Sequence, residues 1–164
     1  MHNIDLTDMF EVQSQLDSTI AKNHGITYAS TRDRRILSLL VEIGELANAT
    51  RCFKYWSNKP SESKERVLDE YADGMHFFLS LGVDISTSKK TFVFNECSID
   101  PTLQFHKIYH LIDVFKIKQD EKSYLEAFQS FIDLVSCLGF SWQDARDAYY
   151  LKLDVNYKRQ ENNY

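Results

Sequence analysis

Two pairs of carboxylates lie in the central part of this 164-residue sequence. Glu42 and Glu45 are three residues apart, and so are Glu70 and Asp73. In a helix this spacing places both members of a pair on the same side. Apolar residues flank the pairs, so the carboxylates would lose hydration in a folded chain. Like charges this close would also repel one another unless a cation lay between them. Oxygen ligands of this kind suit Mg²⁺ or Mn²⁺. The alternative is that they are solvated charges on exposed helix faces.

A different metal centre is also compatible with part of this pattern. Asp73 and His76 form the acid-x-x-His pair that di-iron carboxylate bundles carry on two of their helices. The matching position, three residues after Glu45, is occupied by Asn48. This difference argues against a di-iron centre.

The carboxyl-terminal residues form a polar stripe. One face of a helix would carry Tyr149, Lys152, Asn156, Arg159 and Gln160. Two cations and two amides on one face suit a polyphosphate, because the cations neutralise it and the amides fix its orientation. The alternative is a solvated terminal helix.

An aromatic segment, CFKYW at 52–56, follows the first carboxylate pair. It places Tyr55 and Trp56 next to Lys54, and a flat nucleotide base could stack on such rings. The alternative is that these aromatic residues belong to the core.

The elements that must position these residues are predicted to be helices. Apolar residues recur at helical spacing over six segments, whereas glycine and proline, which tight turns require, number only 5 and 2. The predicted helices span about 4–22, 32–54, 63–82, 101–117, 121–138 and 141–160. Within the stretch 84–100, which breaks the helical period, we expect the residues TFVF to form a short extended piece. We predict an all-α, single-domain helical bundle over residues 1–164, with the second and third helices as antiparallel neighbours.

Several residues are suited to capping the predicted helices. Thr31 and Asp100 are candidate N-caps, and Ser141 with Asp144 resembles a capping box. Gly25 lies where the first helix is expected to stop.

Composition excludes several classes of protein. The net charge of −5 argues against general binding of nucleic acid, which relies on many contacts from lysine and arginine to phosphate. Cys52, Cys97 and Cys137 contain no CxxC pair, so we expect reduced thiols rather than a disulfide framework or a zinc site. The sequence has neither a signal peptide at its start nor an apolar run of membrane-spanning length. We therefore expect a soluble, cytoplasmic protein.

Taken together, these motifs resemble the dimeric all-α dUTPases of bacteria and phages, a branch of the MazG-like nucleotide pyrophosphatases. That family carries ExxE followed by ExxD, and this chain has EIGE at 42–45 and EYAD at 70–73. Four longer strings of this sequence are also similar to those of family members: LLVEIGELANATRCFKYWSNK, LDEYADGMHFFLSLG, FEVQSQLD and YYLKLDVNYKRQENNY. Residues 84–140 are the least assigned and are a candidate family-specific insert.

The resemblance implies a role for each candidate residue. The four carboxylates would be catalytic and would hold Mg²⁺, with Mn²⁺ as an alternative. Gln13 and Trp56 would contact uracil, and Asp17 stands where some relatives have asparagine. His76 would lie near the deoxyribose, and Lys54 near the base or the phosphates. A phosphate clamp would comprise Lys152, Asn156, Arg159, Gln160 and Tyr164.

The resemblance also implies an activity and partners. The reaction would be hydrolysis of dUTP to dUMP and pyrophosphate, and of dUDP to dUMP, which keeps uracil out of DNA. We favour Glu45 as the general base that takes a proton from the attacking water. Relatives are homodimers whose sites are completed by the partner chain. Two alternatives stay open: a MazG-like pyrophosphatase for another nucleotide, and a phage dUTPase that also binds a repressor protein.

Overall fold

The computed structural model describes residues 1–164 and contains six helices and one two-stranded sheet. The helices are α1 (Thr7–His24), α2 (Tyr28–Thr50), α3 (Lys64–Asp84), α4 (Pro101–Lys118), α5 (Glu121–Cys137) and α6 (Trp142–Glu161). The strands are β1 (His2–Asp5) and β2 (Thr91–Phe94). The prediction of six helices is confirmed, as is the extended piece at 91–94. None of the helices combines the length and the apolar character that crossing a lipid bilayer requires.

Side chains that bond to free backbone groups set most helix ends. Ser141 and Asp144 form the predicted capping box at the start of α6. Asp100 accepts a backbone N–H at the start of α4, where Pro101 is the first helical residue. Gly25 ends α1 with φ of 62°, a left-handed conformation that glycine adopts without steric cost.

The boundaries predicted for α2, with Thr31 as its cap, are wrong at both ends. Thr27 is the cap: its hydroxyl accepts from the backbone N–H of Ser30, and the Ser30 hydroxyl accepts from the backbone N–H of Thr27. The helix ends at Thr50 because Arg51 adopts a left-handed conformation, with φ of 59°. Local reciprocal bonds therefore start α2 one turn before the apolar pattern indicates.

Residues 2–5 form β1, although the apolar pattern predicts that the first helix begins at residue 4. The strand pairs antiparallel with β2 and places Ile4 opposite Phe92, and both side chains are buried. Asp5 then accepts from the backbone N–H and the hydroxyl of Thr7, which begins α1. A single apolar residue fits a helix and a strand equally well, so the pattern alone did not distinguish them.

Helices α2 and α3 run antiparallel, as predicted. Near the start of α2, Arg35 pairs with Asp84 at the end of α3, with 2.7 Å between Nη2 and Oδ2. Near the end of α2, the carbonyl of Ala49 accepts from the backbone N–H of Glu62, just before α3 begins. The middle turns of the two helices, which carry the acidic pairs, therefore face each other.

Stacked aromatic rings join α3 to α5 in the core. Tyr71 stacks on Phe131 with 4.3 Å between ring centroids, and Phe78 stacks on Phe128 at 5.0 Å. Gly74 permits this approach, since a Cβ atom there would lie 2.8 Å from the Phe131 ring. Helix α3 also contacts α1, α2 and α6, so it is the element around which the candidate site is built.

A disulfide joins Cys97 to Cys137, with 4.8 Å between their Cα atoms. The expectation that all three cysteines are free thiols is therefore wrong, and only Cys52 is free. The segment after β2 lies on α5: the Ser136 hydroxyl donates to the carbonyl of Asn95 at 2.6 Å. This long-range contact brings the two cysteines together, and their spacing in the sequence gives no sign of it.

Candidate active site

Three carboxylates meet where α2 faces α3. Glu42 and Glu45 lie one turn apart on α2, and Glu70 lies on the facing turn of α3. One carboxylate oxygen from each residue lies within 4.8 Å of the others. Glu70 is buried, Glu42 is half-buried and Glu45 is exposed. We refer to these three residues as the carboxylate cluster.

Arg66 is the only cation that pairs with the carboxylate cluster, and it reaches Glu70 alone. Burial, together with the charges of Asp73, Glu45 and Glu70, raises the pKa of the Glu42 carboxyl to about 8. The Oε2 atom of Glu42 is buried and has no hydrogen-bond partner. Burial also raises the pKa of Glu70, although an ion pair with Arg66 opposes that shift. A cluster of carboxylate oxygens with an unpartnered buried atom fits a hard divalent cation.

The fourth predicted ligand, Asp73, lies beside the carboxylate cluster rather than within it. Its Oδ2 atom accepts from Lys152 Nζ of α6 at 2.9 Å. The same ammonium lies 2.7 Å from Asp69 Oδ1. Lys152, predicted to bind phosphate, is thus only 6% exposed and compensates two carboxylates of α3.

A cavity of about 710 Å³ opens beside the carboxylate cluster, between α1, α2, α3 and α6. Nine of the predicted site residues line it: Gln13, Asp17, Glu42, Asp73, His76, Asn156, Arg159, Gln160 and Tyr164. Glu45 and Glu70 instead line an adjoining cleft with Arg66. Glu42 therefore belongs to the carboxylate cluster and to the wall of the large cavity.

A hydrogen-bonded network fixes the side chain of Gln13 in the cavity wall. Its Oε1 atom accepts from Tyr149 at 3.1 Å and lies 2.6 Å from Nδ1 of His76. Its Nε2 atom donates to Asp17 Oδ1 at 2.9 Å. Burial lowers the pKa of His76 to about 3, so the ring is neutral and Nδ1–H donates to Gln13. The network thus orients a donor amide next to a carboxylate.

The polar stripe of α6 reaches the same cavity through its last turns. Arg159 donates to Asn156 Oδ1 at 3.4 Å, and its guanidinium lies over the Tyr164 ring at 4.9 Å. Gln160 accepts from Asn23 at the end of α1, which links the two helices. These residues form a cationic and amide-rich wall across from the carboxylates of α2 and α3.

Comparison with protein families identifies the chain. The family model described as dUTPase matches residues 5–164. The chain belongs to this dUTPase family. Its fold is the all-α dUTPase fold, its activity is that of a dUTP diphosphatase, and divalent-metal dependence is general in the family. No curated protein matches the chain.

Two predicted site residues, Trp56 at the base and Lys54 near the base or the phosphates, lie outside the cavity. Lys54 and Trp56 belong to the loop between α2 and α3, and neither lines the large cavity. Trp56 is 64% exposed, and its ring packs edge-on against Tyr55 with 5.1 Å between centroids. In a single dUTPase chain, Trp56 is therefore available at the surface, whereas Lys54 is half-buried.

Several cavity residues are absent from the sequence-based site predictions, and three of them are polar groups close to Asp17. Tyr28 and Arg35 of α2 and Ser80 of α3 all line the cavity. None of the three belongs to a motif that the residue pattern reveals. Only the packing of α1, α2 and α3 against one another brings them beside Asp17.

Proposed function

We propose that this enzyme hydrolyses dUTP to dUMP and pyrophosphate in a Mg²⁺-dependent reaction. It would also hydrolyse dUDP to dUMP and phosphate, and so keep uracil out of DNA. The observation that carries the proposal is the position of Glu42, which joins the carboxylate cluster to a cavity lined by nine predicted site residues. We place the activity in the cytoplasm, where it would act on the nucleotide pool.

Glu42, Glu45, Glu70 and Asp73 would hold the metal. One support is the Oε2 atom of Glu42, which is buried and has no hydrogen-bond partner. Another is that all the ligand atoms offered to the metal are carboxylate oxygens, which Mg²⁺ prefers. When bound, Mg²⁺ or Mn²⁺ would acidify a water and neutralise phosphate charge. Lys152 would keep Asp73 ionised and in place through the bond between Nζ and Oδ2.

Residues of the chain itself would bind the substrate and move the proton. Glu45, the exposed member of the carboxylate cluster, would take the proton of the attacking water. Arg159 would bind a phosphate with charge-assisted hydrogen bonds. The remaining residues of the phosphate clamp would be Lys152, Asn156, Gln160 and Tyr164.

The base would be read by Gln13 and Asp17. The Gln13 amide is fixed by partners on α3 and α6, and one of its two N–H groups is not engaged by Asp17. A donor beside an acceptor matches the alternating carbonyl and N–H groups of uracil. His76, whose ring lines the same cavity, would lie near the deoxyribose.

We also propose that the enzyme is a homodimer. Tyr55 is 94% exposed and Trp56 is 64% exposed, which suits a surface that a second copy covers. Because Lys54 and Trp56 lie outside the cavity of their own chain, they would complete the site of the partner. Light scattering during gel filtration tests this proposal, and a monomer at micromolar concentration would contradict it.

The decisive experiment is to incubate the purified protein with each deoxynucleoside triphosphate and Mg²⁺, and to separate the products by ion-exchange chromatography. We expect dUMP and pyrophosphate from dUTP, no turnover in EDTA, and preference for dUTP over dCTP by roughly 10⁴-fold. Similar kcat/KM values for dUTP and dCTP would favour the alternative of a MazG-like pyrophosphatase with another substrate.

A further inference from the structure

Tyr28, the first residue of α2, reaches across to α1. Its hydroxyl donates to Oδ2 of Asp17 at 2.9 Å, and both residues line the large cavity. Burial and the neighbouring carboxylate raise the pKa of Tyr28, so the phenol stays protonated and can only donate to Asp17. In this hydrogen bond the hydroxyl is the donor and the Asp17 carboxylate is the acceptor, so the bond limits the rotation of the carboxylate.

Tyr28 is itself held in place by α2 and α3. Arg35 lies over its ring, with 4.9 Å from Cζ to the ring centroid, and donates to its backbone carbonyl at 2.7 Å. The same guanidinium pairs with Asp84, whose side chain is 3% exposed. Tyr28 is thus part of a rigid connection between α3 and the cavity wall rather than a mobile surface residue.

Both oxygens of Asp17 are consequently oriented by neighbours. Oδ1 accepts from Gln13, and Oδ2 accepts from Tyr28. Each carboxylate oxygen keeps a further lone pair, so Asp17 can still accept a hydrogen bond from a ligand, in a direction that these two contacts set. An imide N–H, such as that at N3 of uracil, satisfies this acceptor, whereas the unprotonated N3 of cytosine places a lone pair against it.

We propose that Tyr28 is a positioning residue for base selection, and that it acts by holding the Asp17 carboxylate towards the imide N–H of uracil. The inference rests on the proposed function. Without the hydroxyl, the carboxylate can rotate, and the site loses its fixed acceptor. Tyr28 contacts neither the carboxylate cluster nor the residues of the phosphate clamp. Loss of its hydroxyl should therefore leave the rate of the chemical step unchanged.

The test compares Tyr28→Phe with Tyr150→Phe. The control removes an equivalent bond, since Tyr150 donates to Oδ2 of Asp8 on α1 at 2.7 Å and lies outside the cavity. For Tyr28→Phe, we expect KM for dUTP to rise about tenfold, with kcat within twofold of the wild type. We expect the ratio of kcat/KM for dUTP to that for dCTP to fall by a similar factor. For Tyr150→Phe, both quantities should stay at wild-type values.

Two features keep the test independent of folding and of the proposed function. The ratio of kcat/KM values does not depend on the concentration of folded enzyme, so partial unfolding neither mimics nor hides the effect. In an Asp17→Asn background, Tyr28→Phe should lower discrimination no further, because the two residues act through one bond. A wild-type enzyme that discriminates against dCTP, with an unchanged ratio in Tyr28→Phe, overturns the role of Tyr28 alone. A wild-type enzyme that fails to hydrolyse dUTP overturns both proposals.

Discussion

Lys152 Nζ of α6 lies 2.9 Å from Oδ2 of Asp73 and 2.7 Å from Oδ1 of Asp69, both on α3. The pKa of Lys152 is raised, since the two carboxylates outweigh the opposite effect of its burial. The ammonium therefore stays charged and acts as an internal counter-ion for Asp73. A divalent cation bound by Asp73 would have to share that carboxylate with Lys152.

Removal of this internal cation should strengthen metal binding while it weakens substrate binding. We expect Lys152→Gln to raise the affinity of the substrate-free enzyme for Mn²⁺ by about threefold to tenfold, or roughly 1 kcal/mol. Affinity for a non-hydrolysable dUTP analogue should fall. Isothermal titration calorimetry measures both. Lys64→Gln is the matched control, because Lys64 pairs with Asp144 at 2.8 Å away from the cavity. Equal Mn²⁺ affinity in Lys152→Gln and Lys64→Gln would contradict the expectation.

The raised pKa of Glu42 makes stability depend on pH. The folded state holds this proton up to about pH 8, whereas the unfolded chain releases it near 4.5. The folded state thus binds more protons over this interval, and the free energy of unfolding falls as pH rises through it. His76 acts in the opposite sense, because its pKa is lowered from 6.5 to about 3. The gain in the free energy of unfolding that comes from His76 as pH rises is therefore nearly complete above pH 7.

Thermal unfolding in EDTA between pH 6.5 and 8.0 isolates the contribution of Glu42. We expect Tm to fall by a few degrees over this range in the wild type. In Glu42→Gln the fall should be much smaller, and Tm at pH 8 should exceed that of the wild type. Glu65→Gln, which changes an exposed carboxylate in the first turn of α3, should keep the wild-type slope. A slope that is the same in all three proteins would contradict the assignment.

Features that depend on neighbours in the sequence could be predicted from it. The capping box of Ser141 and Asp144 and the stop at Gly25 are local, and helical periodicity gave six helices with approximate ends. The meeting of Glu42 with Glu70 was also predictable, since α2 and α3 follow each other directly in the chain, which favours antiparallel packing of the two helices.

Features that depend on distant packing could not be predicted. The residue type of Lys152 indicates a cation on α6, but only the position of α3 shows that it points at Asp73. The pairing of Cys97 with Cys137 likewise depends on how the segment after β2 lies on α5. Tyr28 carries no motif, and its role emerges only where α1 and α2 meet.

The disulfide should contribute substantially to stability and little to activity. It closes a loop with a sequence separation of 40 residues, for which chain entropy gives about 4 kcal/mol. We expect Cys97→Ser with Cys137→Ser to lower Tm by about 10 °C and to abolish the effect of dithiothreitol on Tm. Cys52→Ser should retain that effect, because Cys52 is free. An equal response to dithiothreitol in the double variant would show that the bond does not form in solution.

Arg159 should contribute to binding through the distal phosphates of the substrate. Its guanidinium lines the cavity and is oriented by Asn156 and the Tyr164 ring. We expect Arg159→Ala to weaken a non-hydrolysable dUTP analogue by about 10- to 100-fold, the loss of one charge-assisted contact of about 1.5–3 kcal/mol. The loss should be smaller for dUMP, which lacks the distal phosphates. Lys158→Ala, which removes an exposed cation outside the cavity, is the control for net charge. Calorimetric titration of both variants separates the outcomes: equal losses for the two ligands, or none, would mean that the end of α6 is a solvated helix.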